Sequence, residues 1–322
     1  MREIGIGDIE NIYIGQYENA EAATGCTVIL SREGMAAGLD VRGGGPASRE
    51  SELLKPVASA QTIHGIVLGG GSAYGLGAAD GVMRYLEEQG IGFDVGVCRV
   101  PLVCQSDIFD LTVGSSRVRP DASYGYAAAR AAFEGGNYRD GNYGAGCGAT
   151  VGKWKGMERC MKSGVGSCCL QIGELKLGAL VVVNALGDIF DHKNGKKIAG
   201  LLTESGDGFA DTMEAMLENT EVIENKFTGN TTIGAIITNG VFDKTQLCKI
   251  ASMAHNGYAR SIRPVHTSAD GDSIYAVSVG GVRADMDLAG SLAAWVMSEA
   301  IVRAIESAES AYGFRAARDL GF

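Results

Sequence analysis

The stretch Gly229-Asn230-Thr231-Thr232-Ile233-Gly234-Ala235-Ile236-Ile237-Thr238 decides how this chain is read. A small, flexible pair of residues precedes a hydroxyl, and a β-branched apolar run follows at once, so a turn enters a buried strand at Thr231. If the Asn230-Thr231 bond were cut, Thr231 would carry a side-chain hydroxyl and a free α-amine, a nucleophile and its base on one residue. Taken alone the stretch is only a strand start. Its meaning depends on what the rest of the chain brings to it.

Composition sets the outer bounds. With 322 residues, 46% of them hydrophobic, the chain can bury a substantial core and fits one large α/β domain spanning 1–322. The N-terminus Met1-Arg2-Glu3-Ile4-Gly5 has no long apolar run, and no later segment reaches ~18 uninterrupted apolar residues. Neither a signal peptide nor a membrane span is expected, and a cytoplasmic location is. A net charge of -10 argues against nucleic-acid or anionic-membrane partners, which require basic surfaces. The 8 cysteines form no CxxC pair and read as free, mostly buried thiols. The 4 histidines lie far apart, in no HExxH or HxH arrangement, so no metal or cofactor is expected. The 48 glycines are scattered among apolar strands, which implies tight turns and close backbone approaches.

Working outward from Thr231, a helix is expected over residues 244–258, with Leu247, Ile250, Ala251 and Ala254 on one face. His266-Thr267-Ser268-Ala269-Asp270-Gly271-Asp272 reads as a turn before a strand at 273–279, and a last helix over 287–309 places Leu288, Leu292, Val296 and Met297 inward. Upstream, residues 221–228 read as a linker, 206–219 as holding a short helix, and 165–172 with 175–183 as a hairpin about Gly173-Glu174. That hairpin ends near Asn184, whose amide usually makes a turn but can also donate to an oxyanion. Lys153 follows the glycine loop Gly144-Ala145-Gly146-Cys147-Gly148, where a lone lysine is more often a surface residue.

Nearer the N-terminus, Thr24-Gly25-Cys26-Thr27-Val28-Ile29-Leu30 reads as a buried strand and Arg42-Gly43-Gly44-Gly45-Pro46 as a structural turn in preference to an anion cradle. After a strand at 64–68, Gly69-Gly70-Gly71-Ser72 leads into a helix reaching about Glu88. The consecutive glycines, with no lysine after them, argue against nucleotide binding. Ser72 reads as a helix cap, since no GxSxG elbow surrounds it. A further helix contains residues 124–133.

Six of these motifs, in this order, resemble the L-aminopeptidase/D-esterase family, which includes β-peptidyl aminopeptidases and the nylon-oligomer hydrolase. They are Thr24-Gly25-Cys26-Thr27, Arg42-Gly43-Gly44 with Arg49-Glu50, Gly70-Gly71-Ser72-Ala73-Tyr74-Gly75-Leu76, Gly144-Ala145-Gly146, Asn230-Thr231-Thr232-Ile233-Gly234 and Asp270-Gly271-Asp272. The resemblance spans nearly the whole chain. It implies a four-layer αββα sandwich that cuts itself at Asn230-Thr231 into a 1–230 α chain and a 231–322 β chain. Thr231 then matches the nucleophile, and Asp270 and Asp272 the Asp-x-Asp arrangement of the nylon-hydrolase branch. Lys153 resembles that branch's active-site lysine, with Lys155 close enough to compete, and Asn184 its oxyanion asparagine. An active-site tyrosine is also implied, without a matching position here. The resemblance further implies a homo-oligomer of processed heterodimers.

The chemistry is consistent with that reading. An unperturbed α-amine titrates near ~7.7, close enough to neutrality to serve as a general base without histidine. Asp270 and Asp272 would hold the threonine's amine and hydroxyl. The expected activity is hydrolysis of N-terminal residues from small peptides, or of related amides and esters. The alternatives are an acyltransferase resembling ornithine acetyltransferase and a non-cleaving oligomeric binding protein.

Overall fold

One long strand joins the two halves of the architecture. In a computed structural model that describes residues 1–218 and 229–321, strand β3 (Thr24–Val41) runs for 18 residues. Its first part pairs with β2 (Tyr13–Asn19) and β5 (Ile63–Gly69), and its last part with β10 (Ser273–Val282). One sheet thus runs β1 (Arg2–Ile4), β7 (Val165–Ile172), β8 (Leu175–Asn184), β9 (Thr231–Gly240), β10 and the end of β3. The other holds β2, the start of β3, β5, β6 (Val103–Asp107) and β4 (Ala47–Arg49). The linker expected at 221–228 lies outside the described residues.

Side-chain alternation explains how the sheets stack. Leu180, Val182, Ile233, Ala235, Ile237 and Tyr275 share one core with Ile29, Ile66 and Leu68 of the other sheet. Their neighbours Val181, Val183, Ile236 and Ala276 pack instead on helices α4 (Lys244–Ser261) and α5 (Met286–Ser307). On the opposite side Val28, Leu30 and Val67 meet α1 (Ala78–Glu88) and α2 (Ala122–Phe133). The layers are therefore helix, sheet, sheet, helix, and central strands buried on both faces need near-continuous apolar sequence. A short α3 (Thr212–Leu217) lies outside these layers. The glycines let helices sit directly on strands: a Cβ at Gly166 would lie 2.2 Å from the Ala300 carbonyl, and one at Gly38 2.3 Å from the Cys248 nitrogen.

Several expectations change in detail. Leu288 is 47% exposed, at the edge of α5's buried face, whereas Leu292, Val296 and Met297 face inward. By length and composition α5 could cross a membrane, but it packs into the core against α4 and the sheet. Helix α1 starts only at Ala78, because Ser72–Gly77 forms a tighter 3-10 turn. Ser72 is no cap: its φ is 54°, in the left-handed region, and neither helix start has a side-chain capping bond. The Arg42-Gly43-Gly44-Gly45 run is a structural brace. The amides of Arg42 and Gly43 donate to the Asp272 carbonyl at 2.9 and 3.1 Å, and Gly45 to that of Asp270 at 2.9 Å.

Candidate active site

Strands β8, β9 and β10 lie side by side, and their register gathers residues from distant parts of the chain. Asn184, last in β8, is the pairing partner of Thr231, first in β9. The parallel pairing of β9 with β10 extends outward to a bridge between Asn230 and Asp270. Thr231 is 4% exposed, and its hydroxyl donates to the Asn230 carbonyl. The same oxygen accepts the Gly271 N–H at 3.2 Å. Only glycine fits there, since a Cβ on residue 271 would stand 2.8 Å from the Thr231 Oγ1.

The two carboxylates flank this point without touching the Thr231 side chain. Asp272 accepts the Thr232 N–H at 2.7 Å through Oδ1, and through Oδ2 the His266 backbone N–H at 3.1 Å and Nδ1 at 2.9 Å. Asp270 accepts the Thr267 N–H at 2.7 Å and its hydroxyl at 2.6 Å. While Asn230 and Thr231 are joined the Thr231 nitrogen is an amide, and a hold on a free amine belongs to the proposed cleaved form. Asp272 thus fixes the backbone just after the Asn230-Thr231 bond, whereas the Asp270 carboxylate braces its own turn at Thr267.

Lys153 enters from the glycine loop. It is 7% exposed, and its ammonium donates to the Asn184 side-chain Oδ1 at 2.6 Å, the Asn184 carbonyl at 3.2 Å and the Gly229 carbonyl. Burial pushes it down to about 7. Lys155, by contrast, pairs with Glu218 at 3.4 Å on the surface. Asn184 is fully buried; its Oδ1 also accepts the Thr150 N–H at 3.1 Å, and its Nδ2 donates to the Gly229 and Phe109 carbonyls, both at 3.1 Å. Two side-chain donors, Lys153 Nζ and Asn184 Nδ2, thus converge on one carbonyl oxygen.

A cavity of about 240 Å³ opens beside Thr231, lined among others by Gly45, Ser72, Asp107, Phe109, Asn230 and Ala269. No tyrosine is among its described lining residues, and the ring that lines it is Phe109. Asp107 is buried; one oxygen accepts from Gln105 Nε2 at 2.7 Å, and the other has no hydrogen-bond partner among the described residues. Burial holds its carboxyl well above the ordinary range. Asp110 ties two sequence motifs together behind the cavity, accepting from the Thr24 hydroxyl and the Gly71 N–H, both at 2.7 Å. A larger groove of about 730 Å³, around Tyr13, Phe133 and Asp140, shares no lining residue with this one.

Sequence reasoning left Asp107, Phe109 and His266 without a role. Only the pairing of β6 beside β5 and the fold of the 266–272 turn bring them here.

Burial, and then the charge of Asp272, raise the Asp270 carboxyl to about 6. A pKa above the unfolded ~3.9 means that this group contributes stability below pH ~4, which is lost as pH rises through about 6. In an uncut Thr231→Ala background, Asp270→Asn is therefore expected to be the more stable at pH 7, by on the order of 2–3 kcal/mol, with the difference vanishing near pH 4. Thermal melts across that range test it. An Asp270→Asn protein that melts lower at pH 7 would contradict the assignment.

The same fold occurs in an L-aminopeptidase D-Ala-esterase/amidase from Ochrobactrum anthropi, described as a variant of the Ntn hydrolase fold. The two superpose with a TM-score of 0.66 over 97% of this chain and 89% of that one, at 17% identity. This chain accordingly shares that variant of the Ntn hydrolase fold. The model of peptidase family S58 matches residues 5–318, and the chain belongs to that family. It is 38% identical over 296 residues to an uncharacterized aminopeptidase of Mycobacterium leprae, covering 87% of this chain and 79% of that one. It is 30% identical over 315 residues to a 6-aminohexanoate-oligomer endohydrolase of Kocuria sp., covering 92% and 84%.

Proposed function

We propose that the chain is a self-processing aminopeptidase or amidase in which Thr231 cuts the Asn230-Thr231 bond and then, as an N-terminal residue, hydrolyses small peptides, amides or esters. The observation that carries this reading is the Thr231 hydroxyl lying on the Asn230 carbonyl, whose oxygen Gly271 N–H already polarises. In processing, Oγ1 bonds to the Asn230 carbonyl carbon, and negative charge on the oxygen is met by Gly271 N–H. The C–N bond then breaks, the departing nitrogen takes the proton, and water hydrolyses the resulting ester to leave a carboxylate on Asn230 and a free amine on Thr231.

Turnover repeats the chemistry on a substrate. The α-amine, with an unperturbed pKa near ~7.7, takes the hydroxyl proton. Lys153 Nζ and Asn184 Nδ2, once released from the Gly229 carbonyl, supply donors for the substrate's oxyanion. The relatives carry both aminopeptidase and endohydrolase names. Asp107 favours the first. Its cavity-lining carboxyl has one buried, unbonded oxygen and is held towards its neutral form by burial, so an entering N-terminal ammonium would both ionise it and take the open bond.

Intact mass with N-terminal sequencing tests the processing step; a single uncut species after long incubation, with no fragment beginning at Thr231, would refute it. For the amine preference, Asp107→Asn is expected to raise KM for free-amine p-nitroanilides by about 10-fold or more, the worth of one hydrogen bond to a charged group. N-acetylated analogues should be unaffected. Equal losses on both would remove Asp107 from substrate recognition.

A further inference from the structure

His266 presents a cluster of features that the proposed chemistry does not yet use. Its backbone φ is 59°, in the left-handed region that non-glycine residues rarely adopt. Its Nδ1 lies 2.9 Å from Asp272 Oδ2, and its own N–H lies 3.1 Å from the same oxygen. A carboxylate only accepts, so the ring hydrogen sits on Nδ1. The remaining ring nitrogen, Nε2, is buried with no hydrogen-bond partner among the described residues. All the polar bonding of this side chain therefore goes to Asp272.

The ring is also held from behind. His255 of α4 packs edge-on against it with centroids 4.7 Å apart, and Tyr258, one turn on, lies at 5.9 Å. His255 is itself anchored through Nε2 to the Asp40 carbonyl at 3.1 Å. The opposite oxygen of Asp272 accepts the N–H of Thr232, the residue directly after the proposed nucleophile, at 2.7 Å. A left-handed backbone and an unpaired buried nitrogen are costs that structures tolerate chiefly where a side chain must be held in one place.

We propose that His266 is a positioning residue of the catalytic centre: its Nδ1–H orients the Asp272 carboxylate, which in turn sets the backbone at Thr231-Thr232. This rests on Thr231 being the nucleophile. The effect acts through Asp272, so it lowers the rate of the chemical step without weakening substrate binding.

The test compares replacements that separate the donor from the backbone. His266→Asn tolerates the left-handed conformation and keeps an N–H near the Nδ1 position; His266→Gly tolerates the conformation with no donor; His266→Asp has the shape of Asn with an acceptor in its place. Wild type is first shown by N-terminal sequencing to yield a fragment beginning at Thr231 and to turn over a p-nitroanilide. Absence of both in wild type would overturn the nucleophile reading and this one with it. Given both, His266→Asn is expected to process and turn over close to wild type, whereas His266→Asp and His266→Gly lose ~10- to 100-fold in kcat with KM unchanged. Should a third carboxylate beside Asp270 and Asp272 prevent folding, the Gly variant, checked by thermal melting, gives the same comparison. A Gly or Asp variant as fast as Asn, or an Asn variant as slow as Gly, overturns the positioning role while leaving Thr231 as nucleophile.

Discussion

Thr231→Ala is expected to persist as one uncut polypeptide and to show no turnover above background, while Thr231→Ser still divides after Asn230. Alanine keeps the strand start and the backbone bonds around it, including Gly271 N–H on the Asn230 carbonyl and Thr232 N–H on Asp272. What disappears is the Thr231 hydroxyl lying on the Asn230 carbonyl, the group proposed to be attacked. Under the proposed chemistry the nucleophile supplies its own base and has no backup, so the expected loss is on the order of 10⁶ in rate, as for other nucleophile deletions. Serine restores the hydroxyl at the cost of a methyl group. Intact mass of both variants, with a p-nitroanilide assay, decides the matter: an alanine variant that still divides and still hydrolyses would remove Thr231 from the chemistry.

Asn184 should separate the two reactions. Its Nδ2 lies on the Gly229 carbonyl, one residue before the carbonyl proposed for cleavage, whereas that Asn230 carbonyl is served by Gly271. Asn184→Asp keeps the acceptor that Lys153 Nζ and Thr150 N–H use but turns the donor into a second acceptor. It should therefore still self-cleave yet lose ~10²–10³ in kcat, with KM little changed. Asn184→Ala loses the donor, leaves the Thr150 N–H without its acceptor and leaves Lys153 only the Asn184 and Gly229 backbone carbonyls, so its stability should fall by a further ~1–3 kcal/mol. Steady-state kinetics on the cleaved Asp variant and melts of both provide the check. An Asp variant with wild-type kcat would exclude Asn184 from the oxyanion site.

How much of this was legible beforehand varies element by element. The β7–β8 hairpin about Gly173-Glu174 and the helix after residue 243 follow from local turn chemistry and side-chain periodicity, which neighbours in sequence determine. Strand β3 was legible only over Thr24–Leu30. Arg32, Glu33 and Gly34 interrupt its apolar pattern where the strand leaves one sheet for the other, so the continuation depends on a partner more than 200 residues away. The choice between Lys153 and Lys155 could not come from spacing, because it rests on where the distant end of β8 lies: Asn184 takes the Lys153 ammonium, while Lys155 pairs with Glu218 on the surface. Asp107 and Phe109 reach the cavity through strand order, which no local pattern encodes. His266 was hidden differently, as an ordinary-looking turn residue whose ring meets Asp272 from a left-handed backbone.

The pairing of Asn184 with Thr231 and of Asn230 with Asp270 has a consequence for the life history of the protein. These contacts lie on three adjacent central strands, so the groups that would cut the chain meet only after its middle sheet has zipped into the right frame. A shift of one residue in either pairing would turn every side chain of that strand to the opposite face and carry Thr231 away from its partners. Under the proposed chemistry, maturation is a proofreading step for assembly: the bond at Thr231 acts as a seal that a half-finished or misaligned chain is unable to break. The appearance of a new N-terminal threonine then works as a clock, timing how fast the core of this protein comes together.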